Sequence, residues 1–106
     1  MDIFNEANEI EMKVYEALKK VIDPEIGINI VDLGLVYKIE YKDADGITVE
    51  MTLSTKGCPM GDVIITNSET EIKTIFPDKN VKINLVWEPA WKTDFVTAEG
   101  RKFLGF

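Results

Sequence analysis

The chain has 106 residues, with 12 basic and 19 acidic side chains and a formal net charge of -7. A chain of this length can bury about two-thirds of the surface that it exposes when unfolded, so we expect residues 1–106 to form one domain. A hydrophobic content of 45% with 29% charged residues is typical of globular proteins and argues against disorder. The acidic balance disfavours binding to nucleic acid or to an anionic membrane surface.

The counts of cysteine and histidine narrow the chemistry further. One cysteine is present and histidine is absent. A single cysteine forms no intramolecular disulfide, and no apolar run is long enough to cross a bilayer or to act as a signal peptide, so we expect a cytoplasmic protein. Without histidine, one chain supports neither Ser-His-Asp nor Cys-His catalysis, and no histidine-containing zinc site.

The N-terminal part of the chain predicts one amphipathic helix. Residues 1–8 are mixed and acidic, and we expect them to be frayed. From Glu9 the apolar residues recur at helical spacing, and the helix should stop before Asp23, because the following proline disfavours helical conformation there. The expected buried stripe consists of Ile10, Val14, Leu18, Val21 and Ile22.

Residues 23–35 form a connection longer than a turn requires, in which aliphatic residues alternate with the carboxylates of Asp23, Glu25 and Asp32. Loops that pack on a core and carry carboxylates are frequent places for functional sites. Aspartate in loops also caps turns and nearby backbone N–H groups. Both interpretations remain open at this point.

The rest of the chain predicts a small mixed sheet. Two period-2 runs, residues 35–42 and 47–53, flank an Asp-Gly turn and predict a hairpin with one apolar face. Residues 63–76 predict a helix ended by Pro77, and residues 81–87 predict a third strand, which the crossover allows to pair in parallel. Thr97 can cap a short C-terminal helix.

These elements together predict an α+β two-layer sandwich. A mixed sheet of about three strands, a hairpin plus one crossover strand, is covered on one face by two helices, and a short helix ends the chain. Trp87 and Trp91 lie four residues apart around Pro89. They either form an exposed recognition surface or contribute to the core.

The only cysteine, Cys58, lies in residues 54–62, between the second strand pattern and the second helix pattern. Gly57 and Gly61 permit unusual backbone conformations, and Pro59 fits a first helical turn. Cys58 would then lie at a helix N-terminus, where unpaired N–H groups and the helix dipole favour the thiolate, the nucleophilic and metal-binding form. Alternatively, it is a small buried hydrophobic residue.

Three segments, taken in order, resemble one known family. They are Asp-Pro-Glu at 23–25 leading to Val-Asp-Leu-Gly-Leu-Val-Tyr at 31–37, Thr-Leu-Ser-Thr-Lys-Gly-Cys-Pro at 52–59, and Trp-Glu-Pro-Ala-Trp at 87–91 with Gly-Arg-Lys-Phe-Leu-Gly at 100–105. Their order and spacing resemble the SufT/PaaD-like family of small iron-sulfur cluster assembly proteins, over most of the chain.

The resemblance implies a two-layer α+β fold and a non-catalytic role in the maturation of iron-sulfur proteins. It also implies a functional centre at Cys58, as a candidate cluster ligand. The candidate neighbours that it implies are Asp23, Glu25, Asp32, Ser54 and Thr55. The sequence departs from the family pattern in having Ser54 where threonine is usual and Lys56 where proline is common.

The implied cofactor is an iron-sulfur cluster, held transiently or between two chains. Such clusters usually have four thiolate ligands, and this chain offers one. A homodimer would bring two Cys58 thiolates together, and a small thiol, a client protein or a carboxylate could complete the site. The implied partners are iron-sulfur carrier or scaffold proteins and apo-client proteins, between which the chain would act as a carrier or an adaptor.

Two other functions remain as alternatives. The chain could be a non-catalytic interaction subunit of an oxygenase-type complex, in which Cys58 is dispensable. It could also be a thiol enzyme with Cys58 as nucleophile and Asp32 or Asp23 orienting water or substrate. The absence of histidine counts against the second alternative.

Overall fold

The computed structural model describes residues 6–42, 46–54 and 61–105. In these ranges the elements follow the order α1 (Glu6–Leu18), β1 (Val36–Lys42), β2 (Gly46–Met51), α2 (Gly61–Ile75), β3 (Val81–Leu85), a 3-10 helix (Thr93–Phe95) and α3 (Ala98–Leu104). The strands are ordered β1-β2-β3, with β1 antiparallel and β3 parallel to β2. This confirms the predicted hairpin with one parallel crossover strand.

The two faces of the sheet differ as predicted. The register pairs Ile39 with Val49 and Val49 with Ile83, so apolar side chains share one face. On this face α1 packs against β1, and α2 packs against both α1 and β3. The other face carries polar residues at Lys38, Glu40, Thr48, Glu50, Lys82 and Asn84. The α+β architecture, with two helices over one face of a mixed sheet, is therefore confirmed.

Helix α1 differs from its prediction at both ends. It begins at Glu6, three residues before the predicted start at Glu9. It ends at Leu18, because the chain tightens through a hydrogen bond from the Val21 N–H to the Leu18 carbonyl at 3.1 Å. The Val21 carbonyl then accepts the Ile30 N–H at 2.9 Å. Ile22 lies beyond the helix and is 48% exposed, so placing it in the buried stripe was wrong.

Helix α2 presents a narrower apolar face than the sequence suggested. It spans Gly61–Ile75, and its buried positions are Gly61, Ile64, Ser68 and Ile72. Val63 and Ile75, predicted on that face, are 42% and 40% exposed. The buried hydroxyl of Ser68 donates to the Ile64 carbonyl at 2.8 Å, which satisfies it within the helix.

The C-terminal segment folds back on the loop that precedes β1. Strand β3 ends at Leu85, two residues before its predicted end. Trp87 and Trp91 are both half-buried against the core, so neither of the two sequence interpretations describes them fully. The Thr97 hydroxyl accepts the Gly100 N–H at 3.1 Å, which confirms the predicted cap of α3.

A membrane-crossing helix would need a long apolar run, and no helix in the described ranges has one.

Candidate functional site

The described chain frames the cysteine-containing segment on both sides. Leu53 and Ser54 follow β2, and α2 begins at Gly61. A Cβ atom added to Gly61 would lie 2.7 Å from Cδ1 of Leu53, so the start of α2 packs directly on Leu53, two residues past the end of β2. The two flanks of residues 55–60 therefore meet. Cys58 and Thr55 lie outside the described residues, and their predicted roles remain predictions.

The carboxylate of Asp32 is hydrogen-bonded through both oxygens. Oδ2 accepts the Asn29 side-chain amide at 2.8 Å, and Oδ1 accepts the Thr97 hydroxyl at 3.0 Å. The backbone adds two more bonds, from the Asp32 N–H to the Asn29 side-chain oxygen at 2.8 Å and from the Thr97 N–H to the Asp32 carbonyl at 2.8 Å. Asp32 thus joins the loop of residues 23–35 to the start of α3, which favours the capping interpretation.

Asp23 is 2% exposed and closes the first turn of the same loop. Its Oδ1 accepts the Glu25 N–H at 2.9 Å, the pattern of an Asx-turn. The backbone of Asp23 also closes the turn, because its N–H donates to the Ile28 carbonyl and its carbonyl accepts the Gly27 N–H. Glu25 is exposed on this turn. A carboxylate that is buried needs a partner of this kind to offset its desolvation.

The loop of residues 23–35 is joined to the strand that leads to Cys58. The Thr52 N–H donates to the Leu35 carbonyl at 2.8 Å, just past the end of β2. In the part of the chain that the structure describes, no hydrogen bond joins Asp23, Asp32 and the half-buried Ser54 to one another directly. Within the described ranges, no group of three potential metal-binding side chains lies together. The described residues thus support the cysteine segment without forming a metal site of their own.

The structure adds one residue that the sequence analysis did not single out. Thr52 is 0% exposed, and its hydroxyl has no hydrogen-bond partner among the described residues. A buried hydroxyl without a partner costs about 1–3 kcal/mol. The strand pattern placed Thr52 on the polar face, and that alternation gives no signal for its burial. Among the described residues, it is the buried polar group nearest along the chain to Cys58.

Asn29 and Thr97 were also missed as partners of Asp32. The Asn-x-x-Asp spacing is a local turn signal, so Asn29 was open to prediction. Thr97 lies 65 residues from Asp32, and its side chain accepts from Gly100 as well as donating to the carboxylate. A contact of that separation leaves no trace in local periodicity.

Comparison with known proteins gives a consistent result. Residues 11–85 match the family model described as iron-sulfur cluster assembly protein. The chain is 45% identical over 85 residues to the Fe-S protein maturation auxiliary factor SufT of Staphylococcus aureus, covering 80% of this chain and 97% of that protein. It is 40% identical over 103 residues to an Fe-S protein maturation auxiliary factor of Porphyromonas gingivalis, covering 96% of this chain and 97% of that protein.

A solved structure agrees with the fold described above. A domain of unknown function from Bacillus anthracis superposes with a TM-score of 0.88 at 34% sequence identity. The match covers 94% of this chain and 95% of that one.

Proposed function

The chain belongs to the iron-sulfur cluster assembly protein family, and from this membership we propose that it is an auxiliary factor in the maturation of iron-sulfur proteins. The resemblance to the SufT/PaaD-like family, inferred from three sequence segments, is thereby confirmed. The observation that carries the proposal is the identity of 40–45% with two maturation auxiliary factors over most of the chain. We further propose a non-catalytic mode of action, with the cluster as cargo.

Cys58 is the residue that we propose as a transient cluster ligand. It lies in the short segment between Ser54 and Gly61, whose flanks are held together by the contact of Gly61 with Leu53. Thiolate is the preferred ligand of iron-sulfur clusters, and the start of a helix favours the thiolate over the thiol. One thiolate supplies about a quarter of the usual ligand set. The remaining ligands would therefore come from a second protein, either another copy or a client.

The carboxylates of the loop of residues 23–35 have a different role in this proposal. Both oxygens of Asp32 and one oxygen of Asp23 accept hydrogen bonds from the loop or from Thr97. Carboxylates used in this way fix the loop and join it to the start of α3, and we propose that they orient the cysteine segment without binding iron. Among the described candidate neighbours, Glu25 is exposed on the loop, Ser54 and Asp32 are half-buried, and Asp23 is buried.

The test compares wild type with Cys58→Ser in two assays. Anaerobic reconstitution with iron and sulfide is followed by absorption spectroscopy and sizing, and maturation of an apo-client by a loaded carrier is measured with and without each protein. We expect maturation to depend on Cys58. Charge-transfer bands on a wild-type dimer that are absent from Cys58→Ser would assign the carrier mode.

Other outcomes separate the remaining possibilities. If neither protein shows bands but client maturation still depends on Cys58, the chain acts as an adaptor. If adding either the wild-type chain or Cys58→Ser leaves client maturation unchanged, the maturation role itself is contradicted. Maturation that requires the chain but tolerates Cys58→Ser would keep the role and overturn the ligand assignment.

A further inference from the structure

A groove beside the start of β1 has walls from three separate parts of the chain. It has a volume of about 520 Å³, and its lining consists of Gly34, Val36, Tyr37, Glu50, Glu88, Pro89 and Phe95. Gly34 precedes β1, Val36 and Tyr37 begin it, Glu50 lies in β2, and the others follow β3. A hollow of this volume is in the range of sites that bind small molecules or a few residues of a peptide.

The walls of this groove are fixed by specific contacts. The Tyr37 hydroxyl donates to the Pro89 carbonyl at 2.7 Å, across 52 residues of sequence. The rings of Tyr37 and Phe95 meet edge to face, with centroids 5.9 Å apart. Burial raises the pKa of the Tyr37 hydroxyl, so this group keeps the proton that it donates. The groove is therefore a formed feature of the fold, walled by aromatic and apolar groups.

Two carboxylates line this otherwise apolar groove. Among the described residues, neither Glu50 nor Glu88 has a basic side chain within ion-pair distance. Lys38, the cross-strand neighbour of Glu50, has its ammonium group 3.8 Å from Glu40 instead. The groove thus presents two carboxylates that form no ion pair among the described residues, next to aromatic rings and a proline.

A ring of this groove already attracts a cation from the chain. The ammonium group of Lys92 lies 5.7 Å from the centroid of the Phe95 ring. Cations over aromatic faces gain electrostatic energy from the ring quadrupole, and arginine does so more often than lysine. Arginine also packs its apolar stem on apolar surface and pairs its planar head with carboxylates. Its chemistry complements both parts of the groove.

We propose that this groove is a docking site for an extended segment of a partner protein that presents an arginine side chain. The guanidinium group would lie between Glu50 and Glu88, and the apolar stem would contact Tyr37 and Pro89. The net charge of -7 would also favour encounter with a basic segment. This inference goes beyond the proposed function, because the binding that it describes needs neither iron nor Cys58.

The test is a titration followed by ¹H–¹⁵N NMR, with the Cys58→Ser chain used throughout to prevent oxidation. The probe is the blocked tripeptide acetyl-Ala-Arg-Ala-amide, and the comparison probe replaces arginine with citrulline, which has the same shape and no charge. We expect saturable shifts of the backbone amides of Val36, Tyr37, Glu50 and Phe95, with a dissociation constant on the order of 1 mM. The citrulline peptide should bind at least about tenfold more weakly.

The variant Glu50→Gln/Glu88→Gln removes both groove charges while keeping side-chain size, and should weaken binding of the arginine peptide at least about tenfold. The matched control, Glu16→Gln/Glu69→Gln, removes two exposed charges from α1 and α2. It should leave the affinity within about twofold, because exposed charges at a distance are screened. Spectra of both variants without peptide verify that the fold is kept.

Several results would overturn the proposal. If the citrulline peptide binds as tightly as the arginine peptide, the groove binds an apolar segment and not an arginine. If the control variant weakens binding as much as Glu50→Gln/Glu88→Gln does, the effect comes from the overall charge of the protein. Shifts located elsewhere, or no shifts at 20-fold the expected dissociation constant, would remove the groove as the site. Concentration-dependent shifts of the same amides without peptide would assign the groove to a second copy of the chain.

Discussion

The loop of residues 23–35 and the groove at Tyr37 both carry carboxylates, but they use them differently. In the loop, Asp23 and Asp32 accept hydrogen bonds from the chain itself at 2.8 to 3.0 Å. In the groove, Glu50 and Glu88 have no ion pair within the described ranges. The loop carboxylates therefore stabilise the fold, and the groove carboxylates remain available to a partner.

The difference shows why residue type alone does not identify a site. A carboxylate that is saturated by internal hydrogen bonds gains little by leaving them for a metal ion or a substrate, because the groups it leaves behind become unsatisfied. A carboxylate without an internal partner pays no such cost. Thr52 resembles the groove carboxylates in lacking an internal partner, since its buried hydroxyl accepts and donates no hydrogen bond among the described residues.

The largest expected effect concerns Gly34, which lies where the loop and the groove meet. Its φ is +79°, and a Cβ atom there would lie 2.6 Å from Cβ of Phe95 and closer still to the Phe95 carbonyl oxygen. We expect Gly34→Ala to lower the free energy of unfolding by roughly 3 kcal/mol or more, because both the backbone conformation and the packing oppose it. Urea unfolding measures the change.

Gly27→Ala is the matched control for this variant. Gly27 has a φ of +88°, but nothing lies within 4 Å of the position that its Cβ would take. It should lower the free energy of unfolding by only about 1–2 kcal/mol, the cost of the left-handed backbone conformation. Equal losses in the two variants would show that the contact between Gly34 and Phe95 does not join the two regions.

The next effect concerns Asp32. Asp32→Ala should lower the free energy of unfolding by about 2 kcal/mol, because Asn29 and Thr97 lose their acceptor. Glu16→Ala, at an exposed position of α1, is the control and should change stability by less than about 0.5 kcal/mol. Unchanged stability in Asp32→Ala together with lost client maturation would show that this carboxylate acts in the site instead of the fold.

The smallest effect, of opposite sign, concerns Thr52. Replacing its unpartnered hydroxyl with a methyl group of similar size, in Thr52→Val, should raise the free energy of unfolding by about 1 kcal/mol. Ser68→Ala is the comparison, since the Ser68 hydroxyl is buried and already bonded to Ile64. A loss of stability in Thr52→Val would show that the hydroxyl stabilises the fold, and would remove Thr52 from the unpartnered group.

Much of the architecture was predictable from local patterns. The period-2 runs gave the hairpin, the crossover length allowed β3 to pair in parallel with β2, and Thr97 caps α3 as expected. The end of α1 was not predictable in this way. Val21 and Ile22 continue the helical spacing, but the backbone of Val21 pairs with Ile30 instead of the next helical turn.

The candidate site was also predictable only in part. Sequence motifs led to the family and to Cys58, which the described residues frame but do not include. No local sequence signal predicted three features: the hydrogen bond between Asp32 and Thr97, the burial of Thr52 and the groove at Tyr37. Each depends on residues that the fold brings together from positions far apart along the chain.

The sequence by itself determined the fold class, the family and the one thiol available to a cluster, because these depend on periodicity, motif order and composition. The tertiary structure alone decided which carboxylates are already used. Hydrogen bonding and burial are set by neighbours across 52 to 65 residues, such as Pro89 for Tyr37 and Thr97 for Asp32. The spacing of residues along the chain does not predict such contacts.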